Sequence, residues 1–125
     1  MSQQIPIKNY LAGADIARYL IVKFGADDET VVPAAAATDA LVGISMETDA
    51  LNGEGIDIAH AGIHQVRAGG AITRGALITA DANGKAVAAA PATGANAKVI
   101  GVALATAAAD DIIPVIIAPG ETQGA

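Results

Sequence analysis

Residues 72–92 read ITRGALITADANGKAVAAAPA, and this stretch decides the fold. Two short apolar runs flank its centre, Asp81-Ala82-Asn83-Gly84. An Asn-Gly pair supplies the positive φ angles that a tight hairpin turn needs. We therefore predict a β-hairpin here, with Asn83 and Gly84 as its structural turn.

A second stretch loosely repeats the first. Residues 16–37 read IARYLIVKFGADDETVVPAAAA, and an offset of 56 positions places Ile16 on Ile72. Internal repetition of this kind indicates a duplicated structural unit. We place the two copies at residues 16–59 and 72–118. Chance similarity between alanine-rich segments is the alternative explanation.

The rest of the chain has the same character, with short apolar runs separated by turn residues. This spacing predicts an all-β fold, a small compact β-barrel or β-tulip-like domain of about ten short strands. We place this single domain at residues 15–120, followed by a flexible tail at residues 121–125. Pro114 cannot donate a ladder hydrogen bond, so the last strand should lie at a sheet edge or follow a bulge. Residues 1–14 are mostly polar and predict an extended N-terminal arm.

Composition narrows the function. The chain has 125 residues, with 7 basic and 13 acidic side chains and a net charge of −6, which disfavours nucleic acid and anionic membranes as partners. Only 2% of the residues are aromatic, so stacking platforms for bases or sugars are scarce. The absence of cysteine excludes a disulfide framework. The N-terminus does not resemble a secretory signal, so we expect synthesis in the cytoplasm.

Few side chains suggest catalysis. His60 and His64 lie four positions apart near Asp57, but the strand-like flanks should keep the two rings from converging on a metal. The acidic clusters at residues 27–29 and 110–111 lack the ligand spacing of a calcium loop. Neither a nucleophile elbow nor a phosphate-binding loop is found. We therefore predict no enzymatic activity, no metal and no cofactor.

The order of several short motifs is more informative than any one of them. The motifs are Ile21-Val22-Lys23-Phe24, Leu41-Val42-Gly43-Ile44, Ala71-Ile72-Thr73-Arg74-Gly75-Ala76-Leu77-Ile78-Thr79, Ala82-Asn83-Gly84-Lys85-Ala86, Val99-Ile100-Gly101-Val102-Ala103-Leu104 and Asp110-Asp111-Ile112-Ile113-Pro114-Val115. In this order they resemble the head-decoration, or capsid cement, proteins of tailed bacteriophages, over roughly residues 16–120.

The resemblance implies a structural virion protein without catalytic residues. Such proteins have a compact β fold, are often trimers, and bind the outer surface of the mature head. The expected partners are the major capsid protein and further copies of the chain itself, as a homotrimer or a dimer.

The resemblance also implies that the N-terminal arm docks on the major capsid protein. An extended segment can add a strand to an exposed sheet edge, with alternate side chains filling pockets. The arm residues expected to bind the capsid are Gln3, Gln4, Ile5, Pro6, Ile7, Lys8, Asn9 and Tyr10.

Three other functions are compatible with the sequence. A small ligand- or carbohydrate-binding β domain is the main alternative, and the scarcity of aromatic residues counts against it. A pilus or surface-layer subunit is disfavoured because neither a signal peptide nor cysteine is present. A metal-dependent hydrolase would have to use Asp57, His60 and His64.

Overall fold

The computed structural model describes residues 7–124. Its ten strands are β1 (Ile7–Ala12), β2 (Ile21–Phe24), β3 (Thr30–Pro33), β4 (Leu41–Ser45), β5 (Gly55–Ala59), β6 (Gly62–Arg67), β7 (Leu77–Ala80), β8 (Ala86–Ala88), β9 (Asn96–Ala103) and β10 (Ile112–Gln123). This confirms the predicted all-β class. Within residues 7–124, no helix has the length and apolar character needed to cross a membrane.

The N-terminal half forms a closed five-stranded barrel in the order β1-β3-β2-β4-β5. Neighbouring strands are antiparallel except β1 and β3, which run parallel. Successive side chains of a strand point to opposite faces, so one face of each strand, with many of its branched side chains, points into the barrel. The interior is filled mainly by Tyr10, Val22, Val31, Ile56 and Ile58, all of them buried.

Strand β1 corrects the predicted domain boundary. The prediction of an arm over residues 1–14 is wrong for Ile7–Ala12. This segment is a strand of the barrel, and its register with β5 runs from Ile7 opposite Ala59 to Leu11 opposite Gly55. Tyr10 and Ala12 point into the barrel and are buried. The predicted arm residues Gln3, Gln4, Ile5 and Pro6 lie outside the described residues.

The C-terminal half is a second five-stranded sheet, in the order β6-β10-β9-β7-β8. The sequence predicted that β10 lies at a sheet edge or follows a bulge. Strand β10 lies between β6 and β9, so the edge position is wrong, and its one register shift comes after Pro114, between Ile117 and Gly120. Pro114 lies opposite Leu104, just beyond the end of β9, and its carbonyl accepts the Leu104 N–H at 3.0 Å. The missing N–H of Pro114 therefore falls where the β9 ladder ends. The flexible tail is also corrected, because β10 continues to Gln123.

Strands β7 and β8 pair across the stretch that opened the sequence argument. Asp81 organises the connection, since its carboxylate accepts the backbone N–H groups of Asn83 and Lys85 at 2.8 and 3.0 Å. The Asp81 N–H donates to the Lys85 carbonyl at 2.9 Å, which makes the connection longer than a two-residue turn. Gly84 has a φ of +77°, whereas Asn83 is not in the positive-φ region.

The two halves have the same strand order. The order β3-β2-β4-β5-β1 of the first half corresponds, strand by strand, to the order β8-β7-β9-β10-β6 of the second. In each half, two reciprocal backbone hydrogen bonds form an isolated β-bridge, between Ile16 and Ala50 in the first and between Ile72 and Ala107 in the second. These correspondences support the predicted duplication. They also bring in β1 and β6, which lie outside the ranges predicted from the sequence.

The halves differ in how they close. In the first half, the Leu11 N–H donates to the Glu29 carbonyl at 2.8 Å and the parallel pairing of β1 with β3 seals the barrel. In the second half, β6 and β8 approach only through a single bridge between Ala68 and Ala86. The second sheet is therefore left with a gap beside this bridge.

A segment of the first half occupies that gap. The Arg67 N–H donates to the Tyr19 carbonyl, and the Ile21 N–H donates to the Gly84 carbonyl, both at 2.8 Å. Ile21 is fully buried in one apolar cluster with Ile78 and other residues of the second sheet. The two halves therefore share a core.

Candidate functional site

The two histidines of the predicted metal candidate serve the fold. The Nδ1 of His60 lies 3.0 Å from the Val42 carbonyl, which can only accept, so Nδ1 carries the proton. The Nε2 of His60 then accepts from the Tyr10 hydroxyl at 2.8 Å. The Nε2 of His64 contacts the Ala61 carbonyl at 2.9 Å. These contacts tie β1, β4 and the β5–β6 connection together.

The acidic clusters shape turns. The pKa of Asp27 is lowered, chiefly by a hydrogen bond from the Thr30 side chain. The pKa of Asp110 is lowered by Lys85, whose ammonium lies 2.8 Å from its carboxylate. Within residues 7–124, no group of three or more His, Cys, Asp or Glu side chains is arranged to hold a metal ion.

The predicted capsid-binding residues separate into four groups. Tyr10 is buried in the barrel, so its side chain is inaccessible to a partner. Lys8 and Asn9 are exposed, and they contact Glu29 at 3.3 Å and Asp57 at 3.1 Å. Ile7 is partly buried at the start of β1. Gln3, Gln4, Ile5 and Pro6 precede the described residues.

The first half of β1 has an open main-chain edge. Strand β3 pairs with β1 only at Leu11 and Ala12. Because strand residues alternate in direction, Ile7 and Asn9 point their backbone groups to the same side as Leu11. On that side, no described strand lies beside them. Exposed edges of this kind accept an added strand from another chain.

Large apolar side chains flank this edge. Leu11 is 51% exposed and Phe24 is 49% exposed. The ring centroid of Phe24 lies 6.3 Å from that of Tyr10 in an edge-on arrangement, at the mouth of the barrel. Sequence reasoning did not assign Leu11 or Phe24 to the capsid-binding surface. The available signal was that Leu11 is a large apolar residue in a polar stretch and that Phe24 is one of few aromatic residues.

Two cavities lie elsewhere on the molecule. One, of about 220 Å³, lies where Tyr19 and Met46 of the first half meet Ile63 and His64 of the second. The other, of about 300 Å³, is lined mostly by alanine, and Thr79 forms part of its wall. The Thr79 hydroxyl is buried without a hydrogen-bond partner.

Removal of two buried hydroxyls, those of Ser45 and Thr79, should change the free energy of unfolding in opposite directions. Ser45→Ala removes a hydroxyl that accepts the Leu20 N–H at 2.9 Å and donates to the Ala17 carbonyl at 2.8 Å. It should lower the free energy of unfolding by about 1–3 kcal/mol because buried groups lose their partners.

Thr79→Val keeps the shape of the side chain and removes the unpartnered hydroxyl, so it should raise the free energy of unfolding by about 1 kcal/mol. Urea unfolding of both variants checks the signs, and equal destabilisation would contradict this assignment.

Comparison with known proteins finds a matching sequence family and similar solved structures. The sequence profile of a family described as phage cement protein matches residues 3–117. Among solved structures, the head fiber gp8.5 N base of bacteriophage phi29 has a similar fold, with a TM-score of 0.65 and 20% sequence identity. The alignment covers 90% of this chain and 92% of that one. No curated protein matches the sequence.

Proposed function

The chain belongs to the phage cement protein family, and from this premise we propose that it binds the outer surface of the mature phage head and stabilises the capsid lattice by bridging neighbouring major capsid proteins. The family is structural and non-enzymatic, and its members are capsid-associated virion proteins. The profile match over residues 3–117 is the observation that carries the proposal.

Binding of this kind stabilises the shell by mass action. A ligand that binds the assembled lattice and not the disassembled subunits adds about 2.7 kcal/mol per site when its free concentration is 100 times the Kd. Packaged DNA pushes the shell outward, and a clip across adjacent subunits resists that displacement. The net charge of −6 also helps to keep decorated particles apart in solution.

The open edge of β1 supports a docking mode at the N-terminus. We assign capsid binding to Gln3, Gln4, Ile5 and Pro6 together with the exposed start of β1. A strand of the major capsid protein pairs with the free backbone of Ile7 and Asn9, which gives affinity without a specific side-chain motif. The exposed apolar side chains Leu11 and Phe24 lie at the same end of the barrel and add buried area.

We also propose that the protein acts as a homotrimer, with a dimer as the alternative. One feature of the chain supports self-association. Its core is rich in alanine, which buries little apolar area per residue. Burial of further surface between copies compensates for a thin core.

Removal of residues 2–6 tests the docking mode. We expect the shortened protein to co-sediment with undecorated phage heads at least about tenfold more weakly, because interface anchors often contribute more than 1 kcal/mol each. Its melting temperature should stay within a few degrees of the full chain. The control is Leu51→Ala, which trims an exposed side chain in the turn that precedes β5 and leaves the N-terminal residues intact. Unchanged affinity of the shortened protein would contradict the docking mode.

The alternative of a small ligand- or carbohydrate-binding domain has weaker support. The two cavities measure about 220 and 300 Å³, at or below the small end of ligand sites. Their walls include one aromatic side chain, that of Tyr19. A glycan array with reproducible hits would revive this alternative.

A further inference from the structure

The first half carries an apolar row on the outside of its barrel. Ile21, Ile44 and Ala59 are directly adjacent across β2, β4 and β5. All three are fully buried although they face away from the barrel interior. They belong to the same apolar cluster as the second sheet, which covers them.

The second half carries the same row, and there it is uncovered. Strand pairing places Leu77 beside Val102, Val102 beside Ile116, and Ile116 beside Ile63. In the shared strand order, Leu77, Val102 and Ile116 take the places of Ile21, Ile44 and Ala59. Leu77 is 44% exposed, Ile116 40% and Ile63 59%. A contiguous apolar strip on a soluble protein usually marks an interaction site.

Charge separates this face from the rest of the acidic surface. Gln65 and Arg67 follow Ile63 at the outward positions of β6, and Pro114 and Ile112 precede Ile116 on β10. No Asp or Glu occupies an outward position of β6, β7 or β9, nor of β10 between Ile112 and Ile116. The chain has 13 acidic residues, and none of them lies on these stretches of strand, although Glu47 lines a cavity together with Ile63.

We propose that a second copy of this chain covers this row, so that the outer face of the second sheet is the surface through which copies associate. The inference rests on the self-association proposed above and names the face that mediates it. The first half supports a copy of the chain as occupant, because its equivalent row is covered by the other half of the same chain. Charge supports it further. Two copies that each carry −6 repel least where neither presents a carboxylate.

Two substitutions in the row test the proposal, and a third is the control. Ile116→Glu and Ile63→Glu each place a carboxylate on the face, and Leu51→Glu adds the same charge at a 62% exposed turn of the first half. Each protein is studied as the full chain by sedimentation equilibrium. We expect the wild type and Leu51→Glu to assemble. The two row variants should associate at least about 100-fold more weakly and approach the 12.3 kDa monomer, because like charges that meet across an interface cost several kcal/mol.

Folding and head binding are measured beside the mass. Circular dichroism shows which row variants are folded, and having two keeps the test valid when one is not. Folded row variants with wild-type mass would overturn the proposal, as would a wild type that is monomeric at all concentrations. Row variants that assemble to the wild-type mass but no longer bind phage heads would show that this face binds the capsid instead. A wild type that assembles but does not bind heads would refute the proposed function and leave this interface standing.

Discussion

We expect removal of residues 2–14 to unfold the protein and removal of residues 2–6 to leave it folded. The longer deletion takes out β1, which pairs with β5 over five residue pairs and closes the barrel against β3. It also removes the buried side chains of Tyr10 and Ala12 and the hydrogen bond from Tyr10 to His60. A large buried side chain contributes about 1.5–3 kcal/mol and whole domains are stable by about 5–15 kcal/mol, so the loss of an entire strand should exceed the available stability.

Thermal unfolding followed by circular dichroism measures both deletions. A cooperative transition in the longer deletion, within a few degrees of the full chain, would show that β1 is dispensable. Neighbouring substitutions provide a matched control, because Tyr10 points into the barrel and Leu11 points out. Tyr10→Ala should cost about 3–5 kcal/mol, as for other large aromatic side chains in cores. Leu11→Ala, at 51% exposure, should cost less than about 1 kcal/mol.

Gly84→Val has the second large effect, because Gly84 connects the two halves. Its φ of +77° is strained for a branched side chain. A Cβ at this position would also lie 2.9 Å from the Ile21 carbonyl and 3.3 Å from the Pro33 side chain. The β7–β8 hairpin would have to move away from β2, breaking the hydrogen bond from the Ile21 N–H to the Gly84 carbonyl. We expect a loss of about 4 kcal/mol or more and a fall in melting temperature of more than about 10 °C.

Gly94→Val separates backbone strain from the contact between the halves. Gly94 has nearly the same φ, +79°, but a Cβ there meets no atom within 4 Å. The substitution should therefore cost only the strain, about 1–3 kcal/mol. Equal melting temperatures for the two variants would mean that the Gly84 contact contributes nothing.

The local pattern of the sequence predicted most of the strands. Strand β5 shows the reason, since Ile56 and Ile58 alternate with Asp57 and form a half-buried strand in the barrel. The β7–β8 hairpin followed from Asp81 to Gly84, residues whose turn chemistry is local. The predicted internal repeat has an offset of 56 positions, and Ile16 and Ile72, which this offset aligns, form similar bridges in the two halves.

Elements that depend on distant partners were missed. Strand β1 reads IKNYLA, with Leu11 outside and Tyr10 inside, so its two faces cannot be told apart by hydrophobicity. Its partner β5 lies more than forty positions away in the chain. The end of β10 is polar on both faces and is held by backbone pairing and the 3.0 Å ion pair between Lys98 and Glu121. Backbone pairing of this kind leaves no signature in residue type.

The candidate site was predicted only in part. Residue order suggested the family, and the profile match shows it. The open edge of β1 could not be predicted, because it exists only where β3 begins too late to cover Ile7 and Asn9. The exposed row on the second sheet likewise depends on how the halves dock. Sequence alone cannot distinguish Ile21, which is covered, from Leu77, which is not.

Co-sedimentation of the purified full-length protein with expanded, undecorated phage heads tests the central claim most directly. The account predicts saturable binding at a fixed number of copies per capsid subunit, together with greater resistance of the decorated heads to heat. Binding that does not saturate, or heads that pellet without the protein, would contradict it.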